Sequence, residues 1–214
     1  APDRITGYLN NNQNTSDSTT AEFEETNLFS TNRFPGFDDV EAGLRANIGG
    51  KYILHEPNGW EFTTTAGRVF RQKDLNQFDA SKSTGLDKLN SDYVSAFSLK
   101  SPQRLKILTR LLLDDSMDAS KHETKLNYTT EKYSTDIGYV WLDKQSVLNL
   151  DSHQHELNIS TDYMINQNWK FGADWRQNIN THSPISGNFD VVFENDCAKL
   201  NFSLDLKYDE QDRI

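Results

Sequence analysis

The chain contains a single cysteine, no long apolar run and fewer basic than acidic residues. Each shortage excludes something. One thiol, Cys197, cannot build an internal disulfide framework, and no Cys-x-x-Cys or Cys/His set is available for zinc. Nowhere do the 214 residues approach the ~20 consecutive apolar positions that a spanning helix requires. Against 32 acidic residues stand 22 Lys and Arg, a net charge of −10, which is the wrong sign for a nucleic-acid surface. No nucleophile elbow, phosphate loop or zinc-binding helix motif occurs, so neither catalysis nor a cofactor is expected. Neither a basic start nor an apolar signal segment stands at Ala1, so a mature, cytosolic or fragmentary chain is expected.

What the chain does contain is alternation. Residues 1–22, with the polar run "NNNQNTSDSTTAE", read as a polar strand end and a mobile loop. Beyond them the period is two almost to the end. "DVEAGLRANIGGKYIL" sets Val40, Ala42, Leu44, Ala46, Ile48 and Tyr52 against Glu41, Gly43, Arg45, Asn47 and Lys51. "RLKILTRLLLD" sets Leu105, Ile107, Leu111 and Leu113 against Arg104, Lys106 and Arg110. "HELNISTDYM" sets Leu157, Ile159 and Tyr163 against Glu156, Asn158, Ser160 and Asp162. "NWKFGADWRQ" sets Trp169, Phe171, Ala173 and Trp175 against Lys170, Gly172, Asp174 and Arg176. After Cys197 the same division gives Leu200, Phe202, Leu204 and Leu206 against Lys199, Asn201, Ser203, Asp205 and Lys207. About ten strands follow from this pattern.

The connections are expected to alternate between tight turns (55–59, 101–103, 131–132, 166–168 and 195–196) and open loops (72–90, 114–120, 143–152 and 178–188). Strands of roughly ten residues, aromatic residues near their ends and loops that are long on one edge suit an antiparallel up-and-down transmembrane β-barrel. A sandwich of shorter strands, including a soluble carbohydrate-binding one, shares the alternation and stays open as a second reading. A general porin or receptor barrel is a third. In a barrel the apolar side meets lipid. The inward, lumen-facing polar set is then Arg45, Lys51, Arg104, Lys106, Arg110, Glu156, Asp162, Lys170, Asp174 and Arg176.

Two weak metal candidates arise. His153 and His155 share one side of a strand but lack a third ligand. Asp114, Asp115 and Asp118 lack the glycine and terminal glutamate of a calcium loop. The expected metal content is none.

One segment carries more than periodicity. "FEETNLFSTNRFPGFDDVEAGLRANIGGKY", residues 23–52, resembles the signature of the LptD family, outer-membrane barrels of lipopolysaccharide assembly. The matching positions are Asn27, Leu28, Phe29, Asn32, Arg33, Phe34, Gly36 and Asp38. "GRVFRQKD", "GLDKLNSDYV" and "FENDCAKLNFSLDLKYDEQDRI" follow in the family's order. The resemblance implies that residues 23–214 are the C-terminal portion of a larger barrel in the bacterial outer membrane. It further implies lipopolysaccharide as substrate, a lipoprotein plug of the LptE type, and a periplasmic bridge reached through an N-terminal domain. Cys197 would join that domain by a disulfide whose partner lies outside this chain. Residues 27–38 would form an extracellular loop that folds back inward, because Phe29, Phe34 and Phe37 are too apolar to stand free.

Overall fold

The computed structural model describes residues 23–34, 40–78, 85–143 and 153–208. Ten strands occupy them: β1 (Arg45–His55), β2 (Glu61–Arg71), β3 (Tyr93–Lys100), β4 (Leu105–Leu113), β5 (Ala119–Thr129), β6 (Tyr133–Leu142), β7 (Gln154–Met164), β8 (Trp169–Asn178), β9 (Ser183–Glu194) and β10 (Lys199–Lys207). They form a single sheet in chain order, every neighbouring pair antiparallel. Among the described residues there is no helix and no second layer. The chain is therefore an all-β, up-and-down meander, the wall of a partial barrel. The expected strand at the start of the chain lies outside the described residues.

Register divides the side chains as the alternation requires. Arg45 pairs with Arg71, Gly67 with Val94, Arg110 with Glu123 and Asp136 with Ser160, so these residues share one face. Continuing across β8 to β10, Asp174 pairs with Asn188 and Asp205 with Asn188 from the other side. The opposite face carries Ile48, Tyr52, Leu54, Phe97, Trp169, Phe189, Leu200, Phe202 and Leu204, all exposed. Nothing in the described structure covers this apolar face. A sandwich would bury it between sheets, so the soluble-sandwich reading fails here.

The buried core sits on the other, polar face instead. Phe23, Leu28, Val69, Phe78, Leu86, Val94 and Leu112 form one cluster, with Phe34 packed against it. These residues come from the segments around β1 to β4, not from the sheet alone.

Three details differ from the sequence expectation. The first strand starts at Arg45 rather than near Val40, because Gly43 takes a left-handed backbone (φ 95°) that breaks the extended run. The open loop expected at 178–188 is a four-residue turn, 179–182, since β9 already begins at Ser183. Pro184 is tolerated there because the β8–β9 register shifts between Arg176 and Gln177, and a bulge does not need the missing N–H. The 114–118 connection is also short. Only 72–92 and 143–153 are long, so turn length alternates less regularly than expected.

Several hairpins share one turn geometry. In 56–60 the Glu56 amide donates to the Trp60 carbonyl at 2.8 Å and Gly59 to the Glu56 carbonyl at 2.9 Å. In 101–105 Ser101 donates to Leu105 at 2.8 Å and Arg104 to Ser101 at 3.2 Å. Asp114 and Met117 repeat the pattern. The fourth residue is left-handed in all three, with φ 89° at Gly59, 68° at Arg104 and 67° at Met117. A type I turn closed by a left-handed residue is a common hairpin solution, normally supplied by glycine.

The mid-strand glycines Gly49 and Gly67 face each other across β1 and β2. A Cβ on Gly67 would stand 2.5 Å from Leu28 Cδ2 and 2.6 Å from the Ile48 carbonyl oxygen. Gly67→Ala is therefore expected to cost ~1–3 kcal/mol. Gly50→Ala, which meets nothing within 4 Å, is expected to be silent. The temperature at which the folded band disappears from an unheated-sample gel distinguishes the two.

Candidate functional site

The polar face has two regions. Over β1 to β5 it is covered by the segment 23–34 and the stretch leading to β1. Over β6 to β10 cover is partial: Val140, Leu142 and Glu156 are buried, whereas Asp162, Lys170 and most of β10 are open.

The covering segment is held by its own turns. The Glu24 amide donates to Asn27 Oδ1 (3.0 Å), Asn27 donates to the Glu24 carbonyl (3.2 Å) and Ser30 to the Asn27 carbonyl (3.1 Å). This winding sends successive side chains in opposite directions. Leu28 is fully buried, its tip in the slot left by Gly49 and Gly67. Phe29 is 54% exposed, which corrects the expectation that it packs inward. Phe34 does pack, stacking on Phe78 with ring centres 4.9 Å apart. Gly36, Phe37 and Asp38 lie outside the described residues.

Beside Leu28 lies a buried charge cluster. Glu41 accepts from Arg33 Nη1 at 2.6 Å and from Arg71 Nη2 at 3.2 Å, and Arg45 Nε stands 3.6 Å away. The side chains of Arg33 and Glu41 have no solvent exposure. Arg33 also donates to the Leu28 carbonyl (2.8 Å) and to Asn47 Oδ1 (3.0 Å). Arg45 donates to the Glu41 carbonyl (2.9 Å) and to the Thr31 carbonyl. Asn32 Oδ1 receives the Phe34 and Glu41 amides at 3.3 and 3.1 Å. Burial pushes the Arg33 guanidinium below its ordinary value, and the Glu41 carboxylate opposes that fall. One carboxylate thus bridges three arginines and ties the segment to β1 and β2.

A second ionic tie lies deeper along the wall. Arg110, on β4, contacts Glu25 at 2.9 Å, Glu123 at 3.2 Å and Glu24 at 3.7 Å. It links two glutamates of the docked segment to β5.

This second region is a ladder of hydrogen-bonding side chains. Arg176 meets Glu156 at 2.8 Å, Lys170 meets Asp162 at 2.9 Å and Asn188 donates to Asp205 at 2.5 Å. The Asp190 carboxylate lies over Gly172, where an added Cβ would fall 2.2 Å from Oδ1. Such a surface offers donors and acceptors of both charges to a hydroxylated or polar partner.

Of the ten polar residues expected to line a lumen, Arg45, Lys51, Lys106, Arg110, Glu156, Asp162, Lys170, Asp174 and Arg176 share the polar face by register. Arg104 does not belong with them. It lies in the β3–β4 turn and lines a recess with Tyr133 and Tyr163, which belong to the apolar face. Glu41 and Arg71 carry the buried cluster yet look unremarkable in sequence. The paired glycines at 49–50 and Gly67 were the available signal, since glycine inside a strand marks a close backbone approach.

The metal candidates resolve into other contacts. His155 Nδ1 is 2.9 Å from the Tyr139 hydroxyl, and His153 lies 2.8 Å from Asp143. Asp114 Oδ1 accepts the Ser116 and Asp118 amides at 2.8 and 3.0 Å, while Asp115 pairs with Arg68. No cluster of three potential metal ligands occurs among the described residues. Cys197 is an exposed free thiol in the β9–β10 turn, its amide donating to Asn195 Oδ1 at 2.9 Å.

Removing Glu41 leaves Arg33, Arg45 and Arg71 facing one another in a dry site. Glu41→Gln is expected to cost about 3–5 kcal/mol, whereas the paired change Arg33→Met with Glu41→Leu costs less than either charge deletion alone. A cysteine at position 34 should resist thiol reagents and one at 29 should react readily. In a Glu41→Gln background, position 34 should approach the rate of 29.

Comparison with known proteins agrees with this architecture. A family model described as "LptD: LPS transport system D" matches residues 4–169. No curated protein matches the chain.

Proposed function

The chain belongs to the LptD family, and from that membership we propose that it forms part of the barrel that delivers lipopolysaccharide into the outer leaflet. The family is one of lipopolysaccharide transport, and the chain is an outer-membrane β-barrel protein. The observation that carries the finer reading is the division of the sheet: an exposed apolar face against an opposite face that is charged, hydrogen-bonded and partly occupied by the segment 23–34.

Hydrocarbon chains wet the apolar face, where a displaced Lys or Arg would cost ~2–4 kcal/mol at mid-bilayer. The polar ladder of β6 to β10 faces the lumen, and its open part toward β10 serves either the sugars of lipopolysaccharide or a plug protein of the LptE type. Neither role needs a catalytic residue. The docked segment 23–34 is an extracellular loop folded into the lumen, fixed by the Glu41 cluster and by Arg110.

The tight turns lie on the periplasmic side, and the longer connections lie outside. Cys197, in the turn between β9 and β10, then faces an oxidising compartment. It forms a disulfide with a cysteine of an N-terminal periplasmic domain, through which the transport bridge docks.

In the full-length protein, Cys197→Ser is expected to abolish a mobility difference between reduced and nonreduced gels. Identical migration of wild type and variant without reductant would remove the disulfide. The protein should stay with membranes through high salt and carbonate and leave only with detergent. Release by salt alone would contradict the barrel reading. Depletion of the protein is expected to lower lipopolysaccharide at the cell surface while leaving uptake of small solutes unchanged, which separates transport from a general porin.

A further inference from the structure

The edge of tight turns holds a recess of about 640 Å³ that the transport role does not use. Its lining includes Pro102 and Arg104 from the β3–β4 turn, Glu131 and Lys132 from the β5–β6 turn, and the strand-end tyrosines Tyr133 and Tyr163. Tyr133 and Tyr163 are paired in register on the apolar face, and Tyr128 sits 5.5 Å from Tyr133 between ring centres. The recess thus lies where the apolar wall meets the turns.

Its charge is unusual. Arg104 and Lys132 have no ion-pair or side-chain hydrogen-bond partner among the described residues, and Glu131 is the only acid in the lining. Both turns are tied to their neighbours through the main chain: the Arg104 carbonyl accepts from Thr129 (3.4 Å) and the Lys132 carbonyl from Met164 (2.6 Å). The side chains are therefore presented from anchored backbone.

Arg104 holds a left-handed backbone, as Met117 does at the same place in its own turn. The β1–β2 turn has the same hydrogen-bond pattern and the same proline at its second position, and it uses Gly59 where this turn uses Arg104. A Cβ in the left-handed region costs energy that glycine avoids.

We propose that this recess binds the head group of an anionic glycerophospholipid, with Arg104 and Lys132 on the phosphate and the tyrosines against the glycerol and upper acyl region. Arginine and lysine supply charge-assisted bonds to phosphate, and tyrosine favours the boundary between hydrocarbon and head groups. The assignment rests on the barrel reading, because the apolar face must meet lipid for the recess to lie at a leaflet surface.

The test uses the full-length protein in detergent, with phosphatidylglycerol as probe, phosphatidylcholine as comparator, and bound lipid counted by native mass spectrometry. Wild type should retain phosphatidylglycerol in preference to phosphatidylcholine. Arg104→Gln with Lys132→Gln should weaken that retention by on the order of tenfold. The equal charge loss Lys73→Gln with Lys207→Gln, away from the recess, should leave it intact. Arg104→Gly separates binding from folding: it should unfold at the same or a higher temperature than wild type while binding less lipid. Equal loss in both double variants, or full retention in Arg104→Gly, overturns the proposal. Displacement by inorganic phosphate as effective as by lipid assigns a free-anion site instead and also overturns it. Extraction of wild type by carbonate would instead refute the barrel reading itself, a distinct failure.

Discussion

A lipid interior offers the peptide group no hydrogen-bonding partner, and the architecture of this chain follows from that constraint. Each internal strand must find its ladder bonds on both sides within the protein, which a continuous antiparallel meander supplies. Once the ladder exists, the pleat sends alternate residues to opposite solvents. The faces of this sheet are correspondingly unlike: Leu200, Phe202 and Leu204 on one, Lys199, Asn201, Ser203 and Asp205 on the other, all within β10.

The hydrophobic core of such a wall cannot lie on the apolar face, because lipid is there. It lies on the polar face, where chain outside the strands packs onto Val69, Val94 and Leu112. Leu28 enters a slot that two strand glycines leave open, and Phe34 stacks on Phe78. Apolar contact alone would not give this segment a unique seat. The Glu41 carboxylate adds direction, since it must receive Arg33 and Arg71 at once and stand near Arg45. Arg110 adds a second fixed point through Glu24 and Glu25. Burial makes these charges expensive individually and mutually dependent, which suits positioning more than raw stability.

The two halves of the polar face therefore differ in kind. The half over β1 to β5 holds the docked segment and its buried ion pairs. The half over β6 to β10 opens toward β10, where Lys170, Asp162 and the polar side chains of β10 are exposed, the condition of a surface that a polar cargo or plug can share. The turn edge adds a third environment, where Arg104 and Lys132 stand beside tyrosines instead of facing the interior.

Strand number, strand phase and the division between apolar and polar faces were determined by the sequence alone, because a period of two leaves a side chain no third direction. The assignment of nine polar residues to one face follows for the same reason. Family membership was likewise legible in residues 23–52, where Asn27, Leu28, Asn32 and Arg33 stand at the signature positions. Only the tertiary structure decided what those residues touch. Phe29 and Leu28 are adjacent and comparably apolar, yet one is exposed and the other buried, because a turn and a pair of glycines from distant strands choose between them. Glu41 became the centre of a buried cluster through contacts across 8 and 30 residues of sequence that no local pattern encodes, and Arg104 left the polar face for a turn. Alternation specifies a direction, whereas a partner is specified only when the chain returns.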